Sequence, residues 1–233
     1  MLDIELYAAV TSREIHSDGD FLEKLAGLPL GLKVGLELFV KEGPRLMDRL
    51  REAGYPLFLD LKFHDIPHTV AGAVRSACRF EPSLLNVHAS GGFEMMKAAA
   101  EAVSGDTRLL AVTVLTSLSG EDLEVTGFRG EPSELVVSMA LKAKEAGVHG
   151  VVCSPLEAGS VREAAGDDFV IVTPGIRPSG ADRNDQKRTA TPFDAVKAGA
   201  NALVVGRPIT RAENPRMAAE SLISEINLAR EGR

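Results

Sequence analysis

PLFLDLK (56–62), followed by TVAGAVRSACRF (69–80), sets the pattern from which the fold of this chain is read. The first stretch is a short run, apolar on both faces of an extended segment until its polar end. The second carries its apolar residues at helical spacing. The same alternation recurs on either side. Strand-like runs occur at ELYAAV (5–10), GLKVGL (31–36), SLLNVHA (83–89), LLAVTVL (109–115), GVVCS (150–154), FVIVTPG (169–175) and ALVVG (202–206). Helical stretches such as PRLMDRLREAG, FEMMKAAAEAV, SELVVSMALKAKEAG and NPRMAAESLISEINLAR lie between or after them, and several end in Gly, a common helix stop. Strands apolar on both faces and separated by helices imply a parallel sheet covered by helices. Eight such units in 233 residues fit a closed (β/α)8 TIM barrel, an α/β fold. An open doubly wound sheet is the alternative, but no GxGxxG follows the first run and no linker or shift in composition divides the chain. One domain over residues 1–233 is the expectation.

The composition is that of an ordinary globular protein, 45% hydrophobic and 25% charged. A net charge of −7 argues against a nucleic-acid surface, which calls for an excess of Lys and Arg. No segment approaches the ~20 apolar residues that span a bilayer, and MLDIELYAAV lacks the basic start of a signal peptide. A cytoplasmic protein acting on small molecules, without membrane or nucleic-acid partners, is therefore expected. Cys78 and Cys153 are far apart, and they suggest neither a disulfide framework nor a zinc site.

In such a barrel the active site gathers at the C-terminal ends of the strands. Lys33 lies in the second run, Asp60 and Lys62 close the third, Asp65 follows in the turn and His88 closes the fourth. Thr116 and Ser117 follow the fifth, Thr173 and Pro174 end the seventh, and Gly206 and Arg207 follow the eighth. Two residues apart on an extended strand, Asp60 and Lys62 point to one face. Ionisable groups crowded there are costly to desolvate unless paired, which suggests function, although a structural salt bridge at the barrel mouth is the other reading. The polar stretch GIRPSGADRNDQKRTATP (175–192) reads as a lid or phosphate-binding loop. Gly206 and Arg207 suit a phosphate, which needs backbone N–H groups and a guanidinium.

DLKFHDIPHT (60–69) is similar to the Asp-x-Lys-x-x-Asp-Ile-Pro-x-Thr signature of the orotidine 5'-phosphate decarboxylases. KVGLELF, NVHASGG, VTVLTS, VVCS, TPGIRP, the pair Asp185-Gln186 and VGRPIT resemble that family's other blocks in the same order, over Leu32 to about Thr210. The resemblance implies conversion of orotidine 5'-phosphate to uridine 5'-phosphate without cofactor or metal. It implies an array of alternating charges made by Lys33, Asp60, Lys62 and Asp65, with Lys62 as proton donor. Asp65 and Thr69, flanking Ile66 of the same motif, would reach the neighbouring site of a homodimer. Ile66 itself is taken as a substrate-binding position, as is Pro174 in the TPGIRP block. Arg177 and Gln186 would close over the 5'-phosphate beside Gly206 and Arg207, and Thr116 or Ser117 would address the pyrimidine edge.

The first run departs from the family, which has Val-Ala-Leu-Asp where this chain has YAAVTS. Counting back from Lys33 without gaps puts Thr11 at the position of the ribose-binding Asp, and Asp3, Asp18 or Asp20 would need a shift to replace it. Weaker ribose binding is expected, since Thr lacks the charge of Asp. His64 and His68 are four apart and could imitate a metal site, but Pro67 suits the first position of a new helix and leaves His64 in the preceding turn. His88 reads as a packed or hydrogen-bonded mouth residue. Two other functions stay open: a magnesium-dependent sugar-phosphate decarboxylase or aldolase sharing Asp-x-Lys-x-x-Asp, and a nucleotide-binding protein that has lost turnover.

Overall fold

Eight short parallel strands close on themselves in the computed structural model, which describes residues 5–16, 20–128, 130–178 and 189–231. They are β1 Leu6–Val10, β2 Gly31–Gly35, β3 Leu57–Phe63, β4 Leu84–His88, β5 Arg108–Val112, β6 Gly150–Val152, β7 Val170–Thr173 and β8 Ala202–Val205. Each pairs with the next, and β1 pairs with β8 through Leu6↔Leu203, Tyr7↔Val204 and Ala8↔Val205. That closure makes a barrel and removes the open-sheet alternative.

Short helices α1 (Ser12–His16) and α2 (Asp20–Leu25) join β1 to β2, a connection in which the sequence pattern marks no helix. α3 (Leu36–Glu42) and α4 (Pro44–Glu52) lead to β3, and α5 (Pro67–Cys78) to β4. α6 (Phe93–Glu101), α7 (Gly120–Val125), α8 (Pro132–Glu145), α9 (Ala158–Ala165) and α10 (Pro192–Lys197) continue the alternation. α11 (Arg207–Thr210) and α12 (Pro215–Glu231) follow β8. Among the described residues no helix is long and apolar enough to cross a membrane.

Local chemistry explains the helix starts. Pro67 and Pro132 occupy the first helical position, where a missing N–H costs nothing. Ser119 and Asp122 form a reciprocal capping box on α7. α5 buries Val70, Ala71, Val74, Ala77 and Cys78, the single stripe expected of a helix laid on a sheet. The outward faces of the strands meet these stripes in a shell of Leu, Val and Ala.

Inside the barrel, Tyr7, Phe58, Leu84, Leu110, Val170, Val172, Ala202 and Val204 form a separate apolar plug. The rings of Tyr7 and Phe58 meet edge to face at 5.9 Å. Tyr7 fits because Gly31 has no side chain, since a Cβ there would lie 2.5 Å from the Tyr7 ring. At the N-terminal face Arg162 of α9 ties the helix to the starts of β7 and β8. Its guanidinium donates to the carbonyls of Gly166, Phe169 and Gly199 and to Oδ1 of Asn201, which also accepts from the N–H of Ile171.

Candidate active site

The strand ends surround a cavity of about 290 Å³ at the C-terminal mouth. Lys33, Asp60 and Lys62 line it from β2 and β3, Thr116 from the turn after β5, Pro174 and Arg177 from the segment after β7, and Gly206 and Arg207 from the end of β8. Phe58 and Val204 carry the apolar plug up to its floor, with Val112, Val114, Leu115, Val152 and Cys153 on the wall. Val114 and Leu115, read from sequence as strand, lie beyond the end of β5 and contribute to the cavity instead. The approach to the long loop is held by an isolated bridge between Ile176 and Ala190, with the N–H of Arg177 donating to Ala190 at 3.0 Å.

At the centre of the charge, Asp60 accepts from two ammoniums, Lys62 Nζ on Oδ1 at 2.5 Å and Lys33 Nζ on Oδ2 at 2.9 Å. Burial alone would raise the Asp60 pKa, but Lys33, Lys62 and the hydrogen bonds from Lys62 and Asn86 outweigh it and hold the carboxyl at about 2. Asp60 therefore stays a carboxylate at neutral pH, placed between the Lys33 and Lys62 side chains. Simple strand alternation does not explain this geometry. Pairing runs from Leu59↔Leu85 to Phe63↔Val87, so β3 bulges by two residues relative to β4. Lys62 sits in that bulge with φ of 50°, a left-handed conformation uncommon outside glycine. Asn86, a fully buried residue that the sequence reading passed over, bonds both the Lys62 backbone and Asp60. Its signal was a polar residue at an inward position of β4, between Leu84 and His88.

Other candidates lie elsewhere. Asp65, Ile66 and Thr69 are exposed and do not line the cavity. Asp65 accepts from the N–H of Ile66, and with His64, Pro67, Ser90 and Gly91 these two residues border an open concavity of their own. Thr116 lines the main cavity, whereas Ser117 is exposed outside it. Gln186, Asp3 and Asp18 fall outside the described residues. On β1, Ala9 pairs with Lys33 and lines the cavity. Thr11 does not. It is exposed, and its N–H and hydroxyl donate to Glu14 Oε2 at 2.8 and 2.6 Å, in the manner of a helix cap for α1. The β1 side chain that faces the cavity is thus the methyl group of Ala9.

His88 is half-buried, with its ring centroid 5.5 Å from that of His64. Burial lowers its pKa, and His64 and Lys62 lower it further against the opposing pull of Asp60. Pro67 begins α5, so His64 stays in the turn while His68 lies in the helix. Among the described residues no group of three or more His, Cys, Asp or Glu side chains is placed to hold a metal ion.

A parallel barrel with an ammonium–carboxylate–ammonium array on β2 and β3, and two arginines after β7 and β8, defines a barrel enzyme with a site for an anionic small molecule. The family model described as "Orotidine 5'-phosphate decarboxylase / HUMPS family" matches residues 14–222. An orotidine 5'-phosphate decarboxylase of Nitrosococcus oceani is 51% identical over 199 residues, covering 84% of this chain and 86% of that protein. One from Nitrosospira multiformis is 44% identical over 227 residues, 97% of this chain and 95% of its own. The crystal structure of the decarboxylase from Lactobacillus acidophilus superposes with a TM-score of 0.85 at 38% identity, covering 97% of this chain and 100% of that one. The chain belongs to the orotidine 5'-phosphate decarboxylase / HUMPS family.

Proposed function

We propose that this chain decarboxylates orotidine 5'-phosphate to uridine 5'-phosphate, as its similar relatives are named to do. The observation that carries the reading is the Lys62 ammonium, held on Asp60 at 2.5 Å in the wall of a cavity that Arg177 and Arg207 also line. In the reaction the bond between C6 and the carboxylate breaks, CO2 leaves, and the electron pair remains on C6. The ammonium of Lys62 stabilises that developing charge and then transfers its proton to C6. Asp60 orients Lys62, and Lys33 keeps the carboxylate occupied from its other side. The magnesium-dependent alternative lacks comparable support, because the two curated relatives described above, at 51% and 44% identity, carry the decarboxylase name.

The remaining assignments follow from this reading. Arg207, the Gly206 amide and Arg177 hold the 5'-phosphate, joined by Gln186, and Thr116 meets the pyrimidine edge while Pro174 packs on it. The whole barrel acts as one catalytic domain of a cytoplasmic enzyme. The exposed stretch from Asp65 through Ile66 to Thr69 completes the site of a second copy in a homodimer, a role supported by its absence from this chain's own cavity. With Ala9 on the cavity wall and no acidic residue in β1, that strand offers the ribose no carboxylate.

The test is the absorbance loss of orotidine 5'-phosphate in excess EDTA, run with the protein and with Lys62→Ala. Turnover in EDTA that the variant loses supports the reading. Turnover that stops in EDTA and returns with magnesium would move it to the other enzyme class. Mixing Lys62→Ala with Asp65→Asn protomers tests the dimer: regained activity supports shared sites, and an inactive mixture of exchanging protomers counts against them.

A further inference from the structure

The inward positions of β4 are Leu84, Asn86 and His88, and Asn86 is wholly buried. An amide there must find partners or impose its full desolvation cost. Both of its ends are used on β3. Oδ1 accepts the N–H of Lys62 at 2.8 Å, and Nδ2 donates to Asp60 Oδ1 at 2.8 Å. The orientation of the amide is determined, because a backbone N–H needs an acceptor and a carboxylate needs a donor.

This placement coincides with the break in the ladder. Between Leu59↔Leu85 and Phe63↔Val87 the backbone pairing of β3 and β4 lapses, and the Asn86 side chain supplies the acceptor for Lys62. The bond supports a left-handed residue, φ 50°, a conformation that is strained in a residue with a side chain. Relaxation of Lys62 to negative φ would turn its Cα–Cβ bond and carry the ammonium off Asp60. The second bond orients the carboxylate so that Oδ1 meets Lys62 while Oδ2 meets Lys33.

We propose that Asn86 is a positioning residue for the reaction, one side chain that sets both the backbone of the proton donor and the direction of its counter-ion. It rests on the decarboxylase reading for its kinetic consequence and on geometry alone for its effect on Asp60. The ionisable groups around it are Asp60 and Lys62 on β3, Lys33 on β2, and His88 on β4 with His64 beside it.

Two variants separate its functions. Asn86→Leu keeps the bulk and removes both bonds, and kcat should fall about 100-fold, the scale of a 1 Å misplacement, with KM changed less than about threefold. Asn86→Asp keeps an acceptor for Lys62 but sets a second carboxylate against Asp60. One member of such a pair takes up a proton more readily, and a protonated Asp at this position can donate as the amide did. The activity of Asn86→Asp relative to wild type should therefore rise as pH falls from 8 to 5, a ratio in which any titration of His64 or His88 common to both proteins cancels. A carboxyl NMR titration of Asp60 reads the same contact without turnover, and its pKa should rise in Asn86→Leu. If the wild type decarboxylates but both folded variants keep kcat within threefold and the ratio is flat, the proposal is overturned while the decarboxylase reading stands. If the wild type does not turn over, that reading fails, and an Asp60 titration unmoved in Asn86→Leu would overturn the positioning role as well. Failure of both variants to fold makes Asn86 a core-stability residue and ends the proposal.

Discussion

Arg162→Met is expected to cost stability and leave catalysis alone. The substitution keeps an unbranched stem but removes a guanidinium that donates from α9 to Gly166, Phe169, Gly199 and Asn201. Gly199 lies at φ 106°, and a Cβ there would meet Arg162 Cβ at 2.9 Å, so the backbone is shaped to the arginine. Bonds to a charged donor are worth roughly 1.5–3 kcal/mol each, but this side chain is only partly buried and water replaces some of them, leaving about 3 kcal/mol in all. For 233 residues the unfolding entropy near the melting point is about 0.5 kcal/mol/K, so Tm should fall by about 6 °C. Calorimetry gives the Tm, and decarboxylation well below it gives kcat and KM, both expected within about twofold of wild type because the catalytic mouth is at the other end of the barrel. A Tm within 2 °C of wild type, or a tenfold loss of kcat in the folded variant, would refute the reasoning.

Three further outcomes are expected. Asp60 titrates near 2 when folded, below its ordinary 3.8, so its contribution to stability is present in full above about pH 5 and is lost as pH falls through 4 toward 2. The loss is about 2 kcal/mol, read as a gentler fall of urea stability across that range in Asp60→Asn, and parallel curves would count against it. Thr11→Ala should lower Tm by about 2 °C through the lost cap, with KM for orotidine 5'-phosphate unchanged; a large rise in KM would return Thr11 to the ribose site. Arg207→Ala should reduce kcat/KM for orotidine 5'-phosphate by at least 100-fold and for phosphate-free orotidine by far less; equal losses on both substrates would remove Arg207 from the phosphate.

The barrel was legible because PLFLDLK and its counterparts are apolar on both faces, and only a helix-covered parallel sheet buries strands that way. Asp60 and Lys62 were legible as neighbours, but for an incomplete reason. Their contact depends on a bulge and a left-handed lysine, both supported by Asn86, 24 residues beyond Lys62 on another strand. Local periodicity carries no trace of such a partnership. Counting back from Lys33 points to Thr11, whereas the strand register sets Ala9 beside Lys33 on the cavity wall, because pairing between strands decides which β1 residue faces inward. The choice between Thr116 and Ser117 turned on the direction of a turn after β5, which spacing does not reveal.

Among the described residues, the plug of Tyr7 and Phe58 closes the cavity from beneath and leaves the charged array to meet solvent at the mouth. Mobile ions screen exposed charges over about 8 Å at physiological salt, and here they meet the array at the mouth. An occupying nucleotide would displace them. Added salt should consequently weaken capture of the anionic substrate while leaving turnover of the filled site almost untouched, so that ionic strength regulates arrival rather than chemistry.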